Sequence, residues 1–499
     1  MTTPTTALTP RRTDPARPTE PGVLTARPWL VPVIPLVAAL AITLWGIGSP
    51  SLWRDEAVTA EVARFSLHDT FRTLANVDAV HTVHYLLAHV MVSLFGGSEL
   101  ALRLPSALGS VAAATGTALL GRRLAGPRTG LTAGLIVAAS PTISMWAEEA
   151  RSYTIVTALA VWATYLLVRA VDAPTRSAFA RYGAAIAVLG LVHLFALLLI
   201  PVHALALWRT ADRTITRRWL AALTAATAAI TPLALITIPQ KDQLDWIAPP
   251  TLRDLTALAS SFAGSSLLII PITALAALGL TRRPAPSTSR IDLRILATAW
   301  AILPPAILLA VSLIHPYYVF RYVLLCIPAV ALLAAAGLSR LPLKLLAPTA
   351  TALALISVPA HLAVREPTSR MDDLRQAATI LRDHQRPGDS IVFQRGSFRR
   401  TVAAYPDAYA RLTDLSQAQT PAQAANLNGT DITIAQFEQR LAHTDRVWFL
   451  SNYVVPGKRG QDSALSRAKV PLIQHSPHFH LLHTWRYHGG TLTLYQHIS

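Results

Sequence analysis

The chain has 499 residues, of which 52% are apolar and 14% charged, with a mean hydropathy of +0.40; a soluble domain carries about 25% charge, so fully soluble and disordered chains are both excluded. Its formal charge of +17 would suit a nucleic-acid partner, but the basic residues do not gather on one face. Residues 363–499 hold 16 basic and 11 acidic residues in an ordinary composition, and the other charges sort by loop between apolar runs, which is the mark of a bilayer and not of a nucleic acid.

Residues 1–28, rich in Pro and Thr and carrying Arg11, Arg12, Arg17 and Arg27, read as a disordered tail held in the cytoplasm by its charge. It is not a simple cleaved signal, because the next apolar run is long and ends at GSPSLW without a small-residue cleavage site. A bilayer core of about 30 Å takes about 20 apolar residues in a helix. Spans are accordingly predicted near 29–48, 101–120, 130–146, 154–169, 182–193, 194–208, 219–238, 264–280, 295–314, 322–338 and 343–362. The stretch 182–208 is long for one helix and short for two. Segment 83–95 is too short to span and is placed at the interface, inside a first outer loop of residues 49–100. In 363–499, Leu374, Ala377, Ala378 and Leu381 follow helical spacing, Pro-Gly-Asp marks a turn before an apolar strand, and 446–453 and 491–497 read as further strands. A small α/β domain is expected there, without a Gly-rich phosphate loop. The lone Cys326 allows no intrachain disulfide.

Charge fixes the orientation. With the tail inside, the loops on its side hold together with it 20 basic and 5 acidic residues, whereas the opposite loops hold 8 basic and 11 acidic ones. Parity favours splitting 182–208 into two short helices: eleven crossings keep both flanking Arg-rich loops inside and put the C-terminal domain outside. The expectation is a multi-pass plasma-membrane protein, surrounded by membrane lipids, with a hydrophobic domain over 29–362 and an extracytoplasmic domain over 363–499.

The outer side collects Asp55, Glu56, Glu148, Glu149, Asp242 and Asp245 with Arg54, Arg151, Lys241 and Arg321 at span ends, joined by His81, His84, Tyr85, Trp146, Tyr153, Trp246, Tyr317, Tyr318 and Tyr322. A belt of interfacial aromatics with solvated charges would account for single residues. So dense a set beside apolar helix ends is costly unless the charges are paired or used.

The order W-x-D-E, then H-x-x-H-Y, F-G-x-S-E-L-A-x-R-L-P-S-A-L (95–108), G-R-R-L, S-P…E-A-R-S-Y (140–153), Q-x-x-Q/D-W-I and a late R-Y resembles bacterial glycosyltransferases of the GT-C class. In particular it is similar to glycosyltransferase family 39, the protein O-mannosyltransferases and lipid A aminoarabinose transferases. The similarity covers residues 29–340. It implies a GT-C fold and transfer of a mannose-like hexose or a pentose, with inversion, from a polyprenyl-phosphate carrier to an extracytoplasmic acceptor, whether protein, glycan or lipid. The resemblance makes Asp55 the catalytic base. A carboxylate within reach of the acceptor hydroxyl can take its proton, and Glu56 is expected to orient the acceptor or tune Asp55.

Charge grows on the leaving phosphate as the sugar departs, so cations aimed there favour the transition state. Arg321, Arg151 and Lys241 are the candidates, with snorkelling cations as the alternative. His84, Tyr85, Glu149, Tyr153, His193, Trp246 and Tyr322 complete the expected substrate site. Thr82 and Val83 stand where many relatives have prolines, and a satisfied core histidine is an equal reading of His193. The outer carboxylates lack metal-ligand spacing, so neither a metal nor another cofactor is expected. His478 and His480 share a strand face that is more often half-buried than metal-binding. The competing readings are a transporter or flippase, which would show inverted repeats and mid-membrane charges, and a silent assembly protein.

Overall fold

The computed structural model describes residues 23–210, 212–281, 289–452 and 463–498; most of the predicted tail and much of the loop at 281–290 lie outside them. A helix answers each predicted span: Leu30–Leu44, Glu99–Ala125, Pro127–Ala138 with Pro141–Ala147, Tyr153–Asp172, Arg176–Val192, Leu199–Trp208, Arg213–Thr237, Leu252–Ala263 with Ile269–Thr281, Leu293–Ser312, Ile327–Leu338 and Leu343–Val364. Among the described residues, length and composition alone qualify six helices to cross a membrane, or up to eight if each of two bent pairs is one span. That is fewer than the eleven expected from charge, because several helices are cut short. One pair bends by 57° where Ser140 caps a new helix, and the other by 77° after Gly264, whose φ of +95° ends the preceding helix.

The doubtful stretch 182–208 is two helices. His193 is extended (φ −161°, ψ 108°), and the Tyr182 hydroxyl and His203 Nδ1, nearly equidistant from it in sequence, are hydrogen-bonded at 3.0 Å, so the chain reverses there.

Glu99–Ala125 packs against Leu30–Leu44, Pro127–Ala138 and Tyr153–Asp172. Small residues allow this closeness: a Cβ on Gly130 would strike the Ala118 carbonyl and the backbone of Arg122. Segment 83–95 belongs to a helix, Thr82–Phe95, entered through the 3-10 turn Ala79–His81.

The C-terminal region carries strands β1 (Ser390–Phe393), β2 (Thr413–Asp414), β3 (Gln417–Gln419), β4 (Thr430–Asp431), β5 (Arg446–Asn452), β6 (Phe479–Tyr487) and β7 (Gly490–His497). Five of them form a mixed sheet in the order β2-β1-β5-β7-β6, parallel from β2 to β5 and antiparallel beyond. Helix Leu374–His384 buries its predicted face fully: Ala377, Ala378 and Leu381 join the sheet core with Ile391, Phe393 and Trp448, and Leu374 joins Leu52 and Ala57 of the first outer loop. The predicted helix and all three predicted strands are present.

Candidate active site

Trp53 is extended (φ −116°, ψ 174°), so helix Arg54–Val62 starts immediately after it and carries Asp55 and Glu56 in its first turn, where the helix dipole favours carboxylates. Adjacent residues point about 100° apart around a helix, which separates the two carboxylates. Glu56 turns inward. Its two oxygens accept from Arg103 Nε and Nη2 at 2.8 Å each, Oε1 also accepts from the Ala150 N–H at 2.8 Å, and both side chains are fully buried. Bound to three protein donors, Glu56 braces the first loop against Glu99–Ala125. Asp55 turns outward, remains 28% exposed, and faces Arg151 Nη2 at a loose 3.5 Å.

Around Asp55 the chain assembles residues from distant segments. Arg151 lies in the turn before Tyr153–Asp172, and its Nε and Nη1 are buried with no hydrogen-bond partner among the described residues. Arg321 sits on the 3-10 turn Phe320–Cys326, its guanidinium carbon 5.2 Å from the Trp246 ring centroid and 5.8 Å from those of Tyr153 and Tyr322. It is within electrostatic reach of Asp55 and Arg151, and among the described residues it has no carboxylate in ion-pair contact. His193 packs edge-on against Tyr322 at 5.2 Å and lies 6.2 Å from Tyr153. The predicted Asp55, Arg151, Tyr153, His193, Trp246, Arg321 and Tyr322 are thus brought together.

The remaining predicted residues have other places. The Tyr85 hydroxyl donates to Asp78 Oδ2 at 2.7 Å, and His84 Nε2–H donates to the Ala150 carbonyl at 2.8 Å, so both hold the wall of the site. Burial, helped by the Arg151 charge, lowers the pKa of His84 to about 4 and that of His81 to about 3, leaving both neutral at pH 7. Glu149 is buried against Arg370, Nε to Oε1 3.0 Å, and Glu148 against Arg365 at 2.6 Å. Burial lifts both carboxyls to about 7 despite those arginines. Lys241 is exposed and makes no ion pair or hydrogen bond with described residues, so of the three predicted phosphate cations it is the one left outside the cluster.

Sequence reasoning missed three groups. Asp78, at the edge of the cluster, carried no motif. Arg103 stood inside the quoted R-L-P-S-A-L run, where a single cation in an apolar stretch was its signal. The arginines of the junction to the C-terminal domain, Arg365, Arg370 and Arg375, pair with Glu148, Glu149 and Glu99, while Arg54 grips Asp372 through Nε at 2.7 Å and Nη2 at 2.6 Å. Of the outer carboxylates read from the sequence, this seam takes Glu148 and Glu149, and Arg103 takes Glu56; Asp55 stays partly exposed beside Arg151, and Asp242 and Asp245 are exposed. Among the described residues no group of three or more His, Cys, Asp or Glu could hold a metal. His478 instead stacks on His497 at 6.2 Å. A groove lined by Leu205, Arg209, Asp292 and Arg294 lies at the opposite end of the helices and includes none of the cluster.

Residues 81–240 match the family model of dolichyl-phosphate-mannose-protein mannosyltransferase, a segment that contains His84, Arg151 and His193 but neither Asp55 nor Arg321. No curated protein sequence matches the chain. Its structure is similar to crystal structures of ArnT from Cupriavidus metallidurans. The apo form aligns at 15% identity with a TM-score of 0.63, and the form bound to undecaprenyl phosphate at 16% and 0.65; each alignment covers 94% of this chain and 98% of that one. At that identity the likeness is one of fold, carried over almost the whole of both chains. The resemblance to GT-C glycosyltransferases read from the sequence therefore holds, in the fold of the chain and in its matched segment.

Proposed function

We propose that the chain is a membrane glycosyltransferase that moves a neutral or amino sugar of hexose or pentose type from a polyprenyl-phosphate carrier to an acceptor hydroxyl on the outer face, inverting the anomeric centre. One observation carries this reading: Asp55, open and loosely held, faces two buried or aromatic-lined arginines whose donors are not used up by carboxylates. Asp55 accepts the acceptor's proton as the oxygen attacks. Arg151 and Arg321 receive the phosphate oxygens, whose charge increases as the glycosyl bond breaks. Neutral His84 and His81 add no charge, so the arginines alone offset the phosphate. Tyr153, Tyr322, His193 and Trp246 offer flat faces for the sugar. The ArnT structure with undecaprenyl phosphate supports a carrier of this class. The loop-charge bias of the sequence supports an inside N-terminus, and with it a cluster on the outer side.

The test uses membranes containing the wild type or Asp55→Asn, given radiolabelled polyprenyl-phosphate sugars, with label leaving the lipid measured. Loss of the base lowers transfer by about 10²–10⁴-fold. Equal transfer by both forms removes Asp55 from the mechanism, and no transfer by the wild type from any such donor favours a transporter.

A further inference from the structure

The 3-10 segment Ile238–Leu244 has no buried residue, yet it ends two positions before Trp246, the ring that covers Arg321. Apolar packing does not explain why it lies where it does. Hydrogen bonds from two side chains do. Gln240 Oε1 accepts from the Ala79 N–H at 3.0 Å, and its Nε2 donates to the Leu74 and Ala75 carbonyls at 3.0 and 3.3 Å. Gln243 Oε1 accepts from the Asp78 N–H at 3.2 Å, and its Nε2 donates to Gln240 Oε1 at 3.3 Å. Both amides are committed to a turn more than 160 residues earlier in the chain.

That turn is unusual. Asp78 has φ +59° and ψ 25°, the left-handed conformation that an L-residue adopts only at a cost, and its carboxylate holds the Tyr85 hydroxyl beside Arg151. Backbone held in such a conformation needs surroundings that over-determine it. The hydrogen bond from its own N–H to Gln243 is one such constraint, and the bond from the next N–H to Gln240 is another.

We propose that Gln240 and Gln243 are positioning residues that latch the 238–247 segment onto the 74–79 turn. The latch fixes Asp78, and through it Tyr85, against Arg151 on one side, and sets Trp246 over Arg321 on the other. Neither glutamine touches the reacting atoms. Together they join the two walls of the site, which come from the first outer loop and from the end of helix Arg213–Thr237. The part of this inference that concerns donor binding rests on the proposed function; the latch itself does not.

The experiment uses the full-length protein in detergent, as wild type, Gln240→Met/Gln243→Met and Gln243→Glu. It measures amide hydrogen exchange at 74–79 and 245–247, melting temperature, and binding of undecaprenyl phosphate by native mass spectrometry. Methionine keeps the length and removes every hydrogen bond of the latch. The double variant should exchange about tenfold faster in both segments and bind undecaprenyl phosphate about tenfold more weakly, with an unchanged melting temperature. Gln243→Glu keeps the oxygen that accepts from Asp78 N–H and should retain the protection of that amide. Wild-type exchange in the double variant overturns the latch. Faster exchange with wild-type affinity overturns the positioning role and leaves only a tie. If the wild type does not bind undecaprenyl phosphate, the carrier assignment fails, and exchange in the two segments together still decides the latch.

Discussion

Replacing Arg103 by Met distinguishes a structural Glu56 from a catalytic one. Arg103 is fully buried and makes five hydrogen bonds: two to Glu56 at 2.8 Å, and others to the carbonyls of Ile47 at 2.7 Å, Pro50 at 2.9 Å and Ser51 at 3.1 Å. Met fills a similar volume without any donor. The Glu56 carboxylate then stays buried with the Ala150 N–H as its remaining donor, and removing one partner of a buried ion pair costs about 3–5 kcal/mol. Three carbonyls lose a donor as well, at roughly 1 kcal/mol each, but losses in one network do not add in full, so about 4–6 kcal/mol is expected. At about 2–4 °C per kcal/mol for a large domain, the melting temperature falls by roughly 10 °C or more. The assay is thermal unfolding of the purified protein in detergent, followed by tryptophan emission at pH 7. Glu56→Gln keeps an acceptor for Arg103, whose three carbonyl contacts persist, and should cost clearly less. A melting temperature for Arg103→Met within about 2 °C of wild type refutes the bracing role. Loss of sugar transfer in Glu56→Gln at unchanged stability would return Glu56 to the chemistry.

Arg321→Ala should lower transfer by about 10²–10³-fold, and Arg321→Lys should recover only part of it, because a point charge lacks the planar fork and stacks less well on Trp246, Tyr153 and Tyr322; full activity in Arg321→Ala would exclude it from the phosphate site. Asp55→Asn keeps a neutral oxygen beside the buried Arg151 and breaks one loose 3.5 Å ion pair, so it should cost less stability than Arg103→Met; its melting temperature, measured alongside transfer, separates lost chemistry from unfolding. Glu149 is lifted to about 7 by burial, against 4.5 for an ordinary carboxyl, so the folded state binds its proton more tightly than the unfolded chain. Its contribution to stability is fully present below about pH 4.5 and is lost as pH rises through 7, so stability falls between pH 6 and pH 8. Melting curves at the two pH values check this: Glu148 and Glu61, lifted to about 7 as well, contribute over the same window, so Glu149→Gln should reduce the dependence in part, and an unchanged slope in that variant would remove Glu149 from it.

The sequence by itself determined the bundle, the small α/β domain and most of the central cluster, because these follow from local patterns. Apolar runs of spanning length demand helices whose backbone groups are satisfied internally, the Leu374–Leu381 spacing demands an amphipathic helix, and motif residues such as Asp55, Arg151 and Arg321 mark themselves at span ends. Even the break at His193 was legible, from length and charge parity. Only the tertiary structure decided which charges are used and which are paired. Asp55 and Glu56 are neighbours of one chemical type, and a turn of about 100° around one helix sends the first to an open cluster and the second to Arg103, 47 positions away. Glu149, a candidate substrate ligand by sequence, is held by Arg370 from beyond the last apolar helix, and Lys241, a candidate phosphate cation, is exposed and makes no side-chain ion pair with described residues. Charge pairing between segments far apart in sequence is set by packing distances of a few ångströms, which no local spacing encodes. For the same reason the glutamine latch and the left-handed Asp78 became visible only once the two walls of the site stood side by side.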